Sequence, residues 1–338
     1  MKKSILTFGT ILLAVIGVNA QSDTTKPAAT SNTTTYTTYI DGYYRSDFEG
    51  LQSNNKTSFT NSNSAFQLGM VSVKADKTLG KFAGTIDLGF GKRADEFSYN
   101  DKDFATSLKQ AYVSFAPNSV LKFTVGKWAT HIGYELLDAY SNRNYSMSYG
   151  FSYGPFFHTG LRADVSLGGK SAFMVGVAEP TDYFNSKVEP KMAIAQFSTG
   201  TSDDKVKLFL NYQGGMSKSQ FDVVLNAAIS NEFGFNYDAT VCNISGKNWS
   251  SNAVYLNYDF NSIFGLAARS EYFNDSKGAL GLGTAIFQNT LSANIHFNKF
   301  TIIPEIRVED GTNRPFLSKS LAEKATAGSF LIAAVYKF

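Results

Sequence analysis

The chain has 338 residues, and 31 Lys and Arg against 28 Asp and Glu leave a net charge of only +3, too balanced for a protein that binds nucleic acid through its phosphates. The 29 Phe, 18 Tyr and 28 Gly, set against 7 Pro, favour an all-β chain over a helical enzyme. A mean hydropathy of −0.15 is too polar for a bundle of membrane helices, but it does not separate a soluble β protein from a membrane barrel.

Met1-Lys2-Lys3 opens with positive charge, Ile5 to Val18 is almost wholly apolar, and Val18-Asn19-Ala20 places small residues before Gln21. This pattern predicts a secretory signal peptide over 1–20. Its loss would remove two lysines and leave a net charge of +1. Residues 21–35 are polar and carry no periodicity, which predicts a flexible periplasmic spacer. The single cysteine, Cys242, excludes an internal disulfide framework. Beyond the leader no apolar run is long enough for a membrane helix, so a closed barrel is the remaining route across a bilayer.

From Tyr36 to Phe338 the text breaks into segments of alternating polarity separated by Gly, Asn, Asp and Ser, which predicts one barrel over 36–338. In 81–91, Phe82, Ile86, Leu88 and Phe90 oppose Lys81, Thr85 and Asp87. In 157–167, Phe157, Leu161, Ala163, Val165 and Leu167 oppose His158, Arg162, Asp164 and Ser166. In 263–272, Phe264, Leu266, Ala268 and Tyr272 oppose Arg269 and Glu271, and in 299–309, Ile302, Ile306 and Val308 oppose Glu305, Arg307 and Glu309. About sixteen such segments follow one another, an even number as bacterial barrels require. Their connections alternate in length: 49–63, 92–104, 129–155, 180–189, 214–218, 244–249, 273–283 and 310–325 are long, and those between them are tight. A transmembrane antiparallel barrel with short periplasmic turns and longer external loops has this rhythm, whereas a Greek-key sandwich does not need it.

Trp128 and Trp249 fall at the external ends of their segments, where a headgroup position is expected. Pro304 interrupts a segment, which predicts a bulge or a shorter strand. The chain ends on Phe330-Leu331-Ile332-Ala333-Ala334-Val335-Tyr336-Lys337-Phe338, and a terminal Phe on such a strand resembles the signal read by outer-membrane assembly machinery.

The run Val125-Gly126-Lys127-Trp128-Ala129-Thr130-His131-Ile132-Gly133-Tyr134-Glu135, continued by Ser141-Asn142-Arg143-Asn144-Tyr145-Ser146 and Gly154-Pro155-Phe156-Phe157-His158-Thr159-Gly160, resembles the OmpL-like beta-barrel porin family. The resemblance implies a porin in the outer membrane of a Gram-negative bacterium, without naming a solute.

A water-filled channel for small hydrophilic solutes or ions needs a constriction. The longest connection, 129–155, is the candidate, with Glu135, Asp138 and Arg143. Glu135 and Asp138 are expected to face a wall cluster of Arg162, Arg269 and Arg307, while Asp164, Glu271, Glu305 and Glu309 line the lumen. The competing reading makes these charges an ion-pair network that stiffens the wall. A narrow substrate-specific channel and a structural or adhesive barrel are the functional alternatives, with lipid outside and a homotrimer compatible with the strand number. An enzymatic barrel is disfavoured, because His131, His158 and His296 have no local nucleophile and acid beside them. The same three scattered histidines and lone cysteine give no metal-ligand spacing, and no cofactor motif is present.

Overall fold

The computed structural model describes residues 32–187 and 190–338. The expected signal peptide lies outside the described residues, as does most of the expected spacer. In chain order the strands are β1 (Asn32–Asp47), β2 (Ala65–Leu79), β3 (Phe82–Phe90), β4 (Leu108–Phe115), β5 (Leu121–Ala129), β6 (Phe157–Gly168), β7 (Ser171–Ala178), β8 (Met192–Gly200) and β9 (Val206–Gly214). They continue with β10 (Lys218–Ala228), β11 (Phe233–Ile244), β12 (Lys247–Asp259), β13 (Phe264–Asn274), β14 (Ala285–Phe297), β15 (Phe300–Gly311), β16 (Phe316–Leu317), β17 (Glu323–Lys324) and β18 (Thr326–Lys337). β1 to β15 pair in sequence, β15 pairs with β18, and β18 returns to β1, so sixteen antiparallel strands close a barrel. β16 and β17 form a separate small hairpin inside the last external connection. The seam runs from Tyr39 opposite Lys337 to Asp47 opposite Ser329, which leaves no unpaired edge in the bilayer.

The alternation has a direct physical outcome. Val177, Leu161, Leu291, Ile306 and Val308 are exposed on the outer face, as lipid contact requires, while Asp87, Arg269, Glu271 and Glu305 on the inner face are buried. Aromatic side chains gather at two levels of the outside. Near the turns, Phe82 stacks on Phe115 at 5.0 Å and Tyr336 meets Phe338 at 4.7 Å. Near the loops, Phe66, Phe90, Phe221, Tyr272, Phe287 and Phe330 are exposed. These form the girdles expected at the membrane interfaces.

Four expectations are corrected. β1 begins at Asn32, ahead of Tyr36: the Thr-rich stretch pairs with the end of β2, where Lys77 Nζ donates to Asn32 Oδ1 at 2.7 Å and Thr34 Oγ1 at 3.0 Å. It is polar because it extends past the apolar band, not because it lacks structure. Trp128 and Trp249 both point inward, 2% and 1% exposed; Phe and Tyr, not Trp, supply the girdles. Pro304 makes neither a bulge nor a strand end. β15 stays paired with β18 through Pro304 opposite Ile332, and the β14 ladder lapses there and resumes in the same register. The fifth and sixth external connections shrink to 215–217 and Ser245-Gly246, the latter with positive φ at both residues (49° and 87°), a turn that lets β11 and β12 pair to their ends.

β5 runs close to β4 at Gly126, which stands opposite Gly160 of β6 on its other side. Gly126 has φ +130°, and a Cβ there would lie 2.2 Å from the carbonyl oxygen of Ala111. Gly126→Val combines that clash with backbone strain and is expected to cost on the order of 3 kcal/mol. The check is the fraction of protein that keeps the fast, heat-modifiable electrophoretic migration of a folded barrel, which should fall sharply against wild type.

Candidate functional site

The connection between β5 and β6 is pinched at its base by Thr130 N–H donating to Phe156 O at 2.9 Å. Beyond that point nearly every turn of the chain is tied to an inward side chain. Gly133 N donates to Asp222 on β10 at 3.1 Å and Tyr134 N to Asp238 on β11 at 2.9 Å, and the Tyr134 ring packs on Tyr255 of β12 at 4.5 Å. Glu135 accepts from Arg269 on β13 at 2.5 Å and from Ser148 N and Oγ, both at 2.8 Å. Asp138 accepts from Lys109 on β4 at 2.6 Å and Tyr39 on β1 at 3.1 Å. Arg143 grips Asp259 on β12 with two bonds of 2.6 Å. Asn144 donates to Ser292 on β14 at 2.8 Å, Tyr145 N to Glu305 on β15 at 2.9 Å, and Tyr145 OH to Asp41 on β1. A segment held in turn by β10 to β15, β1 and β4 lies inside the barrel and crosses it.

Buried peptide N–H groups require acceptors, and the wall supplies carboxylates. Glu271 accepts from Tyr149 N at 2.8 Å and Gly150 N at 2.7 Å, at the start of a short helix, α2 (Tyr149–Tyr153), whose N-cap Ser148 accepts from Phe151 N at 3.0 Å. Glu309 accepts from Tyr149 OH at 2.7 Å, and Arg307 donates to Met147 O at 2.8 Å and to Glu309 at 2.9 Å.

This arrangement differs from the expected field of acids facing arginines across a gap. Glu135 touches Arg269 directly, Asp138 pairs with Lys109, and Arg307 is spent on Glu309 and the loop backbone. Arg162 stands apart on β6, 3.6 Å from Asp164 and against Trp128. Glu271, Glu305 and Glu309 therefore work as loop anchors, closer to the stiffening network that was the competing reading. Among the expected residues Arg143 keeps the most contact with the lumen, its side chain 31% exposed.

Sequence reasoning missed Asp41, Lys109, Asp222, Asp238 and Asp259, all charged and on strands, where inward alternation was the available signal. It also missed Arg93, which no strand pattern could reveal. Arg93 sits on α1 (Lys92–Phe97) in the second external connection, fully buried, with Nη1 donating to Leu137 O at 3.2 Å and its guanidinium 4.9 Å from the Tyr145 ring. It ties one external loop to another.

Above the crossing loop an external cavity of about 460 Å³ is lined by Tyr99, Tyr153, Phe156, Glu96, Asp182 and Lys218, among others. Asp182 lies in the fourth external connection and accepts from Phe156 N at 2.6 Å, Phe157 N at 3.0 Å and Tyr99 OH at 3.2 Å. Burial pushes its carboxyl up to about 6. With a raised folded-state value, its stabilising contribution is complete below the ordinary carboxylate range and is lost as pH rises through about 6, a span worth on the order of 2–3 kcal/mol. Amide exchange at Phe156 and Phe157, normalised for intrinsic rates, should therefore slow from pH 7.5 to pH 5, and Asp182→Asn should remove that difference.

His158 Nε2 and Thr130 Oγ1 are 3.1 Å apart, the His131 ring packs on His158 at 4.9 Å, and His296 meets Thr301 at 3.0 Å beside a periplasmic turn.

A closed sixteen-stranded antiparallel barrel with a lipid-compatible outside, a polar inside and a loop folded across the lumen defines an outer-membrane channel of the porin class. Residues 33–338 match the family model described as "Putative beta-barrel porin-2, OmpL-like", and the chain belongs to that family. Solved structures share the fold at low identity. The outer-membrane channel DcaP of Acinetobacter baumannii superposes with a TM-score of 0.63 at 10% identity, over 93% of this chain and 99% of that one. OmpT of Vibrio cholerae, described in a trimer form, gives 0.61 at 14% identity over 91% and 100%. An anion-selective porin from Comamonas acidovorans gives 0.58 at 9% identity over 91% and 100%. No curated protein sequence matches the chain.

Proposed function

We propose that the barrel passes small hydrophilic solutes and ions by passive diffusion across the outer membrane of a Gram-negative bacterium, with residues 130–156 setting the aperture. The observation that carries this reading is the path of that segment, anchored in turn to inward side chains of β10 to β15, β1 and β4. The same anchoring favours a narrow, selective channel over a wide one, because so much polar wall is committed to the loop. Asp138 and Arg143, with side chains 19% and 31% exposed, are the loop charges left nearest to passing solute.

Around that channel the proposal includes an N-terminal signal peptide, lipid on the outer face, recognition of Phe338 by assembly machinery and a homotrimeric state. The histidine environments support a channel over a hydrolase, since the charged groups around His158 are cationic rather than an orienting carboxylate. Liposome swelling with a size series of sugars and single-channel recording in planar bilayers test the reading. Graded permeability with a sharp size limit is expected; permeability no greater than in empty liposomes would favour a structural or adhesive barrel.

A further inference from the structure

The charges of the crossing loop are matched where they stand, but the opposite wall carries a cluster that is not. Lys122, Thr124 and Trp128 on β5 and Arg162 and Asp164 on β6 all face inward, with Lys122 opposite Asp164 and Thr124 opposite Arg162. The row between Arg162 and Trp128 is the glycine pair Gly126 and Gly160, so no side chain separates them. The Arg162 guanidinium packs over the Trp128 indole at 5.1 Å. Its Nε lies 3.6 Å from Asp164 Oδ2, and Lys122 Nζ lies 3.5 Å from the same oxygen.

These are ion-pair separations without hydrogen bonds. Arg162 Nε, Trp128 Nε1 and both carboxylate oxygens of Asp164 are buried with no hydrogen-bond partner among the described residues. Arg162 is 6% and Trp128 2% exposed. Arg269 and Arg307 also leave Nε unpartnered, but they spend their Nη donors on carboxylates and carbonyls, whereas no Nη hydrogen bond holds Arg162 among the described residues. Two cations against one carboxylate leave an excess positive charge, and the Lys122 side chain, 30% exposed, opens the cluster to the lumen. The guanidinium fork matches a planar oxyanion in two-point geometry, and the indole packed against it carries a further unpartnered N–H.

We propose that Arg162, backed by Trp128 and Lys122, is a binding station for small organic carboxylates moving along the lumen wall. This deepens the channel reading and rests on it for its role in transport. It also separates Arg162 from the loop acids it was first expected to face.

The test uses the full barrel in detergent and in bilayers. Trp249→Phe leaves Trp128 as the one tryptophan of the chain's two, and its emission reports directly on the Arg162 contact. Titration with sodium acetate at constant ionic strength is expected to give a saturable change that glucose does not produce. Arg162→Gln should raise the apparent Kd about tenfold or more, as loss of a charge-assisted two-point contact implies, and Arg162→Lys should recover part of it. In a KCl gradient, wild type should prefer anions and Arg162→Gln should shift the reversal potential toward the cation value. Heat-modifiable migration shows that each variant is folded. No saturable acetate response in folded protein, or an Arg162→Gln barrel that keeps both the affinity and the reversal potential, overturns the proposal. Saturable binding in a barrel without conductance would instead overturn the channel reading and leave the carboxylate site standing.

Discussion

Arg269→Leu is expected to turn a narrow, steady conductance into a larger and noisier one while the barrel itself stays folded. Arg269 is 1% exposed; its Nη1 donates to Glu135 at 2.5 Å and to Ser146 O at 2.7 Å, and its Nη2 reaches Thr290 Oγ1 at 3.2 Å. It thus clasps two points of the crossing loop to β13. Removing it leaves the Glu135 carboxylate buried without its counter-charge and strips a donor from a buried carbonyl. Breaking such a pair from one side typically costs about 3–5 kcal/mol. The strand ladders do not pass through this contact, so the cost falls on the docking of the loop rather than on closure of the barrel. The equilibrium between docked and released loop should shift by roughly 10²–10⁴-fold. Sugars excluded by wild type should then enter in swelling assays, and protease should cut within 130–156. Arg269→Leu combined with Glu135→Gln removes both charges together, keeps a carbonyl acceptor for Ser148 N–H and should restore much of the wild-type conductance, because the stranded carboxylate is gone. An unchanged conductance and size limit in folded Arg269→Leu would show that this clasp does not hold the aperture.

The reason this clasp was only half visible in the sequence applies to the whole site. Alternation is a local property, so Arg269, Glu271, Glu305, Arg307 and Glu309 could be read as inward without any knowledge of their partners. What each inward charge meets depends on where a distant segment crosses, and the Arg269 to Glu135 contact joins residues 134 apart. The prediction of acids facing arginines therefore placed these charges inward but missed most of their partners: only Glu135 meets one of the expected arginines, Arg269, while Asp138 pairs with Lys109 and Arg307 with Glu309. The strands themselves were legible for the converse reason: a two-residue repeat against lipid is enforced at every position by transfer energy. The failures occur where that enforcement stops. At Asn32 to Thr35 the strand leaves the apolar band and loses its pattern, yet keeps its ladder. At Trp128 and Trp249 the side chain obeys the loop packed inside the barrel, Trp249 lying 5.8 Å from Phe273 beneath Tyr149, and not the bilayer outside. Pro304 survives within a strand because β18 pairs through that position while β14 gives way locally. The tight turn at Ser245-Gly246 was read as a longer loop because the polar residues of the β11 and β12 ends resemble loop composition, although they pair fully.

Removing Phe338 is expected to separate assembly from stability, two properties that most substitutions at a barrel seam would damage together. In the closed barrel Phe338 contributes a backbone N–H to Thr38 O at 2.9 Å and an edge contact with Tyr336 at 4.7 Å, and its ring is 58% exposed on the outer face. The seam proper is carried by the ladder from Tyr39–Lys337 to Asp47–Ser329, packed inside by the buried Leu331, Ala333 and Val335. One peripheral hydrogen bond and a half-covered ring are worth about 2 kcal/mol in the folded state, a small part of the stability of a sixteen-stranded barrel. Protein lacking Phe338 should therefore refold in detergent with a melting temperature close to wild type. In cells its outer-membrane level should fall by tenfold or more, beyond the several-fold change in abundance that a stability loss of about 1–2 kcal/mol produces on its own. Leu331→Asp is the contrasting variant, since it places an unpaired charge within the buried seam and should fail in both assays. If deletion of Phe338 lowers refolded stability as much as Leu331→Asp, the terminal ring belongs to the seam; if it leaves the cellular level unchanged, the terminal residue is not what the assembly machinery reads. The exposure of the ring favours neither of those outcomes: a large aromatic left uncovered at the end of the closing strand makes little of the finished barrel and is accessible until the barrel closes.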